Sequence, residues 1–226
     1  MLISVHLPKT AGTSFERALR SHFGERLRLD YASKPLHQGP AARRLQAMGR
    51  ALEHGLRGAD AHTACIHGHF LPLAYRWLRS PDRRTFVTWL RDPVERLASH
   101  YQHWQRVDNP PATDVLHVRM LEENWSFEQF ALAPQLRNIY SQFLWGFPLT
   151  AFTFVGISEH YAEDLAIFGR RILRSELPIC EERRNPEAPQ GPYDIDEALR
   201  RRIRSYHAAD QALYERALAL RERRTA

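Results

Sequence analysis

His6-Leu7-Pro8-Lys9-Thr10-Ala11-Gly12-Thr13-Ser14 joins an apolar run to a helical pattern near the start of the chain. The first turn of a helix exposes backbone N–H groups that have no intrahelical partner, and it carries the positive end of the helix dipole. A strand–loop–helix turn that also bears Lys9, Thr13 and Ser14 therefore favours a phosphate or a sulfate. A second junction, Leu90-Arg91-Asp92-Pro93, follows another apolar run. Together the two junctions predict two anion sites on one edge of a sheet.

Short apolar runs alternate with helical patterns along the rest of the chain. Buried strands are predicted at residues 3–7, 63–67, 85–90 and 152–157. Helices are predicted at residues 13–22, 41–54 and 93–105, and two more pass through Tyr206 and Leu220. This alternation predicts an α/β fold with a mostly parallel central sheet flanked by helices. In such a fold, ligands bind at the carboxyl ends of the strands.

Three helix boundaries have local signals. Gly55 is expected to end the second helix, because glycine is common just beyond a helix C-terminus. Asp92 and Glu95 are spaced as a capping box at the start of the third helix, and Asp194 and Glu197 have the same spacing before the C-terminal helices.

Length and charge limit the classes of protein to which the chain can belong. At 226 residues it can bury one sizeable α/β core, so we expect a single domain over residues 1–226. The net charge is +6, and Lys9 and Lys34 are the only lysines among the 32 basic residues. Arginine suits planar contacts with phosphate or sulfate. The basic residues are scattered among acids without an aromatic repeat, so we do not expect nucleic-acid binding.

Cysteine content and hydropathy predict the compartment. There are two cysteines, Cys65 and Cys180, and Cys65 lies in an apolar run that favours a core position. The first predicted strand begins at Ile3, which leaves no room for a signal peptide, and no run reaches the roughly 20 apolar residues needed to cross a bilayer. We therefore expect a cytoplasmic protein without a membrane anchor.

The first loop differs from the loops that bind nucleoside triphosphates. A Walker A loop ends in Gly-Lys-Ser/Thr, whereas here Lys9 precedes Gly12, and Thr13 and Ser14 follow it. Gly12 lets the backbone approach an anion, and Lys9 places a charge near a bridging oxygen. The hydroxyls of Thr13 and Ser14 can donate hydrogen bonds to the same anion.

The second junction offers side chains for a separate phosphate. Arg91 leaves the strand end, and Ser99 lies two turns into the following helix, on a face shared with Arg96 and His103. Arg91 and Ser99 can hold a phosphate, or Arg91 can simply pair with a neighbouring carboxylate. For Arg96 we expect the carboxylate pairing.

Both segments resemble motifs of sulfotransferases that use 3′-phosphoadenosine 5′-phosphosulfate (PAPS). Residues 8–14 resemble the 5′-phosphosulfate loop, and residues 90–101 resemble the 3′-phosphate motif. His67-Gly68-His69, Val155-Gly156-x-x-Glu159 and Asp210-x-x-Leu213-Tyr214 also recur, in the same order, in the branch that contains heparan sulfate 2-O-sulfotransferase. The resemblance spans nearly the whole chain.

The resemblance implies a P-loop-like sheet and transfer of a sulfuryl group from PAPS to an acceptor hydroxyl, with a glycan expected as the acceptor and no metal. The residue matching Lys9 assists the leaving phosphate, and those matching Arg91 and Ser99 grip the 3′-phosphate. The implied nucleotide-binding residues are Lys9, Thr10, Ala11, Gly12, Thr13, Ser14, Arg91 and Ser99. Animal members have a membrane anchor and a stem; their absence from this sequence favours a bacterial-type enzyme.

His67 and His69 are the candidate catalytic histidines. The resemblance matches His69 to a general base, with His67 supporting it, and the ordinary pKa of histidine suits proton transfer near neutral pH. A metal-binding pair and a purely structural pair remain open alternatives. Arg183 or Arg184, in a proline-rich segment, is predicted to close over the nucleotide, although a solvated charge run is the commoner fate of such residues.

Other activities remain open at this stage. A P-loop-type nucleotide kinase would need a Walker A lysine and a carboxylate for magnesium. A non-catalytic anion-binding protein would keep the loop without needing His69. Within sulfotransferases, the acceptor can be a glycan, a peptide tyrosine or a small metabolite. The family segment Asn-x-Gln-Thr/Ser-Arg is altered here, with Tyr140 and Gln142 in place of the Gln and the Arg.

Overall fold

Strands and helices alternate through the part of the chain that the structure describes. This computed structural model describes residues 1–35, 38–80, 83–107, 109–179 and 192–225. The strands are Leu2–Val5 (β1), Leu27–Asp30 (β2), Cys65–Gly68 (β3), Thr85–Leu90 (β4) and Phe154–Ile157 (β5). The α-helices are Gly12–Phe23 (α1), Pro40–Arg57 (α2), Pro93–Gln105 (α3), Val115–Glu122 (α4), Phe127–Ala131 (α5), Ile139–Phe143 (α6), Tyr161–Phe168 (α7), Glu197–Tyr206 (α8) and Ala208–Thr225 (α9). Short 3-10 turns lie at Gly24–Arg26, Pro72–Tyr75, Pro134–Leu136, Leu149–Ala151 and Ser158–His160, and a π-helical turn at Gly169–Leu173.

The five strands form one sheet in the order β2-β3-β1-β4-β5, and each neighbouring pair is parallel. All four residues of β1 are buried, as expected of a central strand covered on both faces. The prediction of an α/β fold with a mostly parallel sheet flanked by helices is confirmed. The loop after β1 occupies the middle of the carboxyl edge, as the phosphate-binding loop does in a P-loop-like fold.

Hydrophobic packing covers both faces of the sheet and extends beyond one edge. Helices α1 and α7 cover one face, with Phe15 and Phe168 against Trp89 and Phe154. On the opposite face, residues of α6 and α9 and of the segment after β3 pack on the alternate side chains of the strands. A third cluster joins α3, α4, α5 and α8. The third cluster fixes α3, and therefore the second predicted anion junction, relative to the sheet.

Strand β2 is missing from the predictions. It is an edge strand of the described sheet and pairs with β3. Its two end residues, Leu27 and Asp30, are buried, and its two middle residues, Arg28 and Leu29, are exposed. Four residues with two charges give no apolar run, so the periodicity did not reveal it. Predicted strands elsewhere overlap the observed ones, although the strand predicted at residues 63–67 lies at Cys65–Gly68.

Two helix boundaries were wrong. Helix α2 continues past Gly55 to Arg57 and ends at Gly58, whose φ of 78° favours glycine. The cap of α8 is Asp196, which accepts a hydrogen bond from the N–H of Leu199, and not Asp194. Cys65 is fully buried, as predicted for a core residue. No helix in the described ranges is both long enough and apolar enough to span a membrane.

Candidate functional site

Three of the segments singled out in the sequence meet at the carboxyl edge of the sheet. Strand β1 lies between β3 and β4, with Ser4 in register with His67 on one side and with Val87 on the other. The Oγ1 atom of Thr88 donates a hydrogen bond of 2.9 Å to the carbonyl oxygen of Val5, which ties the two strand ends together. Parallel pairing therefore places the Lys9 loop beside both His69 and Arg91.

The loop after β1 has an unusual backbone. Lys9 and Ala11 both adopt left-handed conformations, with φ of 65° and 61°. Between them, Thr10 is buried and its Oγ1 donates a hydrogen bond of 2.9 Å to the carbonyl oxygen of Leu7. Left-handed residues other than glycine are uncommon and tend to occur where function requires a fixed loop.

Helix α1 begins directly after this loop with an open N-terminus. Ala11 occupies the N-cap position, no side chain caps the helix, and the first turn has no acidic residue. The N–H groups of Gly12, Thr13 and Ser14 are consequently available to an external acceptor. This is the arrangement that binds phosphate or sulfate in many folds.

Lys9 adds charge to the open helix start. Burial, together with the neighbouring cations Arg106 and Arg91, lowers its pKa to about 8. A half-buried ammonium group beside two guanidinium groups is a site where an anion relieves repulsion and is itself stabilised. Charge and backbone thus favour the same kind of ligand.

The second junction differs from the first, and the predicted helix start at Asp92 is confirmed. Asp92 caps α3 itself: its Oδ1 accepts hydrogen bonds from the N–H groups of Val94, at 2.8 Å, and Glu95, at 3.2 Å. Pro93 has no N–H group to offer. The start of α3 is therefore satisfied internally and is not a second helix-terminus anion site. An anion here must be held by side chains.

Glu95 does not complete the predicted capping box. Its carboxylate accepts a hydrogen bond from the N–H of Tyr193 and pairs with Arg200 of α8 at 2.9 Å. The N–H of Asp92 donates instead to Glu159, at 2.9 Å. Glu159 thereby anchors the start of the junction.

Arg91 has a fixed backbone and a side chain free for a ligand. The hydroxyl of Tyr140 donates to the carbonyl oxygen of Arg91 at 2.7 Å and lies 3.2 Å from its N–H. The guanidinium stacks 5.8 Å from the ring centre of Tyr193 and forms no ion pair within the described ranges. The alternative that Arg91 pairs with a carboxylate is thus not realised there. Ser99 is half-buried on α3, two turns beyond Arg91.

Arg96 does not form the carboxylate pair that we expected. It is fully buried, its guanidinium lies 5.7 Å from the ring centre of Tyr140, and all three of its nitrogens lack a hydrogen-bond partner among the described residues. Burial lowers its pKa, while Tyr140 and Asp210 oppose that shift. The carboxylate of Asp210 is occupied by the N–H groups of Tyr140 and Ser141. Arg96 packs under the residue that holds Arg91.

His69 has the protonation pattern that a general base needs. Its Nδ1 lies 2.6 Å from the carbonyl oxygen of His6. Because a carbonyl only accepts hydrogen bonds, Nδ1 carries the proton and the lone pair is on Nε2. Burial lowers the pKa of the half-buried ring below its ordinary value of 6.5, which keeps the ring neutral near pH 7.

His67 faces the interior. It is 1% exposed, its Nδ1 lies 2.7 Å from Oγ of Ser4, and burial lowers its pKa to about 3. Among the described residues no group of three His, Cys, Asp or Glu side chains could hold a metal ion. The other predicted nucleotide contacts, Arg183 and Arg184, lie outside the described residues.

Sequence reasoning missed several residues of the site. His6 stacks on both His67 and His69, and Tyr140 holds Arg91. The signal for His6 was its place directly before the loop, at the end of the first predicted strand. Nothing in the sequence pattern indicated the role of Tyr140, because its partner is 49 residues away.

Comparisons with known proteins give one named structure. A crystal structure of a sulfotransferase from Alicyclobacillus acidocaldarius is similar over 97% of this chain and 94% of that chain, with 18% sequence identity and a TM-score of 0.49. No family model matches the chain, and no curated protein matches it. Similarity at this level assigns no activity to the chain.

Proposed function

We propose that this protein transfers a sulfuryl group from PAPS to an acceptor hydroxyl, with a glycan as the expected acceptor. The observation that carries the proposal is the open start of α1 beside Lys9, with Arg91 at the neighbouring strand end forming no ion pair among the described residues. PAPS carries anionic groups at its 5′ and 3′ positions, and two separate cationic positions on adjacent strands fit that spacing of charge. The motifs at residues 8–14 and 90–101 favour the same donor.

The two anionic ends of the nucleotide are proposed to bind different residues. The N–H groups of the first turn of α1, with Thr13 and Ser14, are proposed to bind the 5′ end, where the N-terminal dipole stabilises negative charge. Arg91 and Ser99 are proposed to bind the 3′-phosphate, for which a guanidinium fork is well suited. PAPS supplies the sulfuryl group and the phosphate that leaves.

The transfer itself needs a base and a stabilised leaving group. The acceptor oxygen bonds to sulfur as the bond from sulfur to the bridging phosphate oxygen breaks. Nε2 of His69 takes the acceptor proton, for which its lone pair and neutral state are suited. Lys9 and the first-turn N–H groups stabilise the charge left on the phosphate, and a donor of this kind typically lowers the barrier by roughly 3 kcal/mol. His67 supports the strand end that carries His69.

The proposal is tested by incubating the protein with ³⁵S-labelled PAPS and separate acceptors: a glycan, a tyrosine peptide and a small phenolic metabolite. We expect label on at least one acceptor and release of 3′-phosphoadenosine 5′-phosphate. A parallel incubation with ATP and magnesium tests the kinase alternative. No transfer to any acceptor, together with turnover of ATP, would contradict sulfuryl transfer.

Substitution of His69 tests the base. His69→Ala should lower the transfer rate by roughly 100-fold to 10,000-fold while 3′-phosphoadenosine 5′-phosphate still binds. His67→Ala should lower it less. The matched control is His62→Ala, because His62 is an exposed histidine shortly before the same strand. Near-normal transfer by His69→Ala would remove His69 from the mechanism.

A further inference from the structure

His6 lies at the centre of a stack of three imidazole rings. Its ring centre is 4.2 Å from that of His69, with an interplanar angle of 26°, and 5.2 Å from that of His67, with an angle of 20°. Its backbone is tied to the same strand end, since its N–H donates to Gly68 at 2.9 Å and its carbonyl accepts from His69. Two imidazoles from β3 and one from the end of β1 thus form one packed unit.

The two edges of the His6 ring are also held. Nδ1 lies 3.3 Å from the hydroxyl oxygen of Tyr31, and that hydroxyl donates a hydrogen bond of 2.9 Å to Glu16. Because the phenolic hydrogen is given to Glu16, the phenolic oxygen accepts from His6, and Nδ1 of His6 carries the proton. The charged partner at the end of this chain, Glu16, lies on α1.

The opposite edge of the ring contacts the first residue of α1. A Cβ atom built on Gly12 would lie 1.6 Å from Nε2 of His6, so only glycine fits there. The ring therefore fills the space between the start of the helix that we propose binds the nucleotide and the ring of His69. No other side chain in the described ranges stacks on His69 at so short a centroid distance.

We propose that His6 is a positioning residue: clamped between Gly12 and Tyr31, its ring fixes the plane of His69 relative to the first turn of α1. The inference rests on the proposed function, because it matters for catalysis only if His69 is the base. A base must be held near the acceptor proton, and small displacements cost large factors in rate. His6 would transmit the position of the loop directly to His69.

The groups around His6 keep it from acting as a proton carrier. The titratable and charged neighbours are His69 and His67 from β3, Lys9 from the loop, Glu16 from α1 and Tyr31 from the segment after β2. Burial and the nearby His69, His67 and Lys9 hold the pKa of His6 well below its ordinary value. His6 therefore stays neutral while His69 takes the proton, and its contribution is geometric.

Three substitutions of His6 and Tyr31, made in the full chain, test the proposal by kinetics. His6→Ala removes the ring, His6→Phe keeps a stacking ring without its nitrogens, and Tyr31→Phe removes the hydroxyl. We expect His6→Ala to lower kcat by roughly 10-fold to 100-fold with the KM for PAPS within about threefold. His6→Phe should recover most of that loss, and Tyr31→Phe should show a smaller loss. The control is His54→Phe, because His54 also stacks on an aromatic ring, that of Tyr75, and binds a backbone carbonyl outside the site.

A spectroscopic measurement separates this inference from the proposed function. Long-range ¹H–¹⁵N spectra of the labelled protein report which nitrogen of His69 is protonated, and His69→Gln identifies its signals. We expect one sharp signal set with protonated Nδ1 in the wild type and in His54→Phe. In His6→Ala the backbone carbonyl at position 6 still accepts from Nδ1, but the stacked ring is gone, so we expect a shifted or broadened set. An unchanged His69 spectrum in a folded His6→Ala would overturn the inference, even if sulfuryl transfer is established. A changed spectrum with full activity in His69→Ala would uphold the positioning contact and overturn the base assignment.

Discussion

Helices α1 and α3 both begin at the ends of neighbouring parallel strands, yet only α1 leaves its first turn open. Ala11 gives α1 no side-chain cap, whereas the carboxylate of Asp92 caps α3 and Pro93 lacks an N–H group. The difference shows that two similar strand–helix junctions in a sequence can have opposite electrostatic characters. At α1 the first-turn N–H groups are available to bind an anion. At α3 Asp92 already accepts from the first-turn N–H groups, and the Arg91 side chain remains available for a ligand.

The largest expected effect concerns the open junction. Lys9→Met removes the ammonium group while keeping the length of the side chain. It should lower kcat by roughly 100-fold or more, because a contact to the leaving group strengthens as charge develops. Nucleotide affinity, measured by calorimetry with 3′-phosphoadenosine 5′-phosphate, should change much less. A kcat equal to that of the wild type would remove Lys9 from the chemistry and leave the α1 start as a binding site only.

The second effect concerns the side chain at the closed junction. At a hundred times its dissociation constant, 3′-phosphoadenosine 5′-phosphate should stabilise the protein by roughly 2.7 kcal/mol, and AMP at the same concentration much less, because AMP lacks the 3′-phosphate. Thermal unfolding measures both. Arg91→Met should remove most of the difference between the two nucleotides.

Arg170→Met provides the charge-matched control for Arg91→Met, because Arg170 is an exposed arginine in the π-helical turn that follows α7. Equal shifts in melting temperature from both nucleotides in the wild type would contradict a 3′-phosphate site at Arg91 and Ser99.

The third effect is the pH dependence of kcat/KM. His69 must be neutral, so activity should fall as pH drops through its pKa, which burial places below 6.5. Lys9 must be charged, so activity should also fall as pH rises through its pKa of about 8. Each limb should fall by about tenfold per pH unit. Lys9→Arg keeps the charge and should lose the alkaline limb, whereas an unchanged limb in that variant would assign it to another group.

The smallest effect concerns the cap of α3. Asp92→Ala should reduce the free energy of unfolding by about 1 kcal/mol, because the N–H groups of Val94 and Glu95 lose their acceptor. Asp92→Asn keeps an acceptor and should lose less. Opening the turn should also create a sulfate-binding position, so sulfate should raise the melting temperature of Asp92→Ala more than that of the wild type. An identical sulfate response would mean that the cap is not what distinguishes the two junctions.

Much of the fold could be predicted because its signals are local. The apolar runs of β1, β3, β4 and β5 and the Asp92-Pro93 start of α3 each depend on a few adjacent residues. Strand β2 could not be predicted, because its pairing with β3 and the burial of Asp30 come from the tertiary structure. Gly55 was misread as a helix end because its packing against Trp77 is not visible in the sequence.

The residues of the candidate site likewise include some that the sequence indicated and some that it did not. Lys9, Gly12 and Arg91 could be singled out because residue type and position after a strand carry their chemistry, whereas His69 was singled out through the resemblance to sulfotransferase motifs. The roles of His6 and Tyr140 could not, because each depends on partners brought near by strand order or helix packing. The expected carboxylate pair of Arg96 was wrong for a related reason, since the guanidinium packs on Tyr140 and Asp210 is held by backbone N–H groups.

The sequence by itself determined a parallel α/β sheet, a polar loop before α1 and the Asp92 cap of α3, because apolar periodicity and backbone capping are set by neighbouring residues. Only the tertiary structure decided that Glu95 pairs with Arg200 instead of completing the capping box, that Tyr140 fixes Arg91 and that His6 lies between Gly12 and His69. Each outcome depends on which of several nearby side chains forms a given hydrogen bond or ion pair, or occupies a given space in the packing. Such competition between residues distant in sequence is settled by packing and hydrogen-bond geometry.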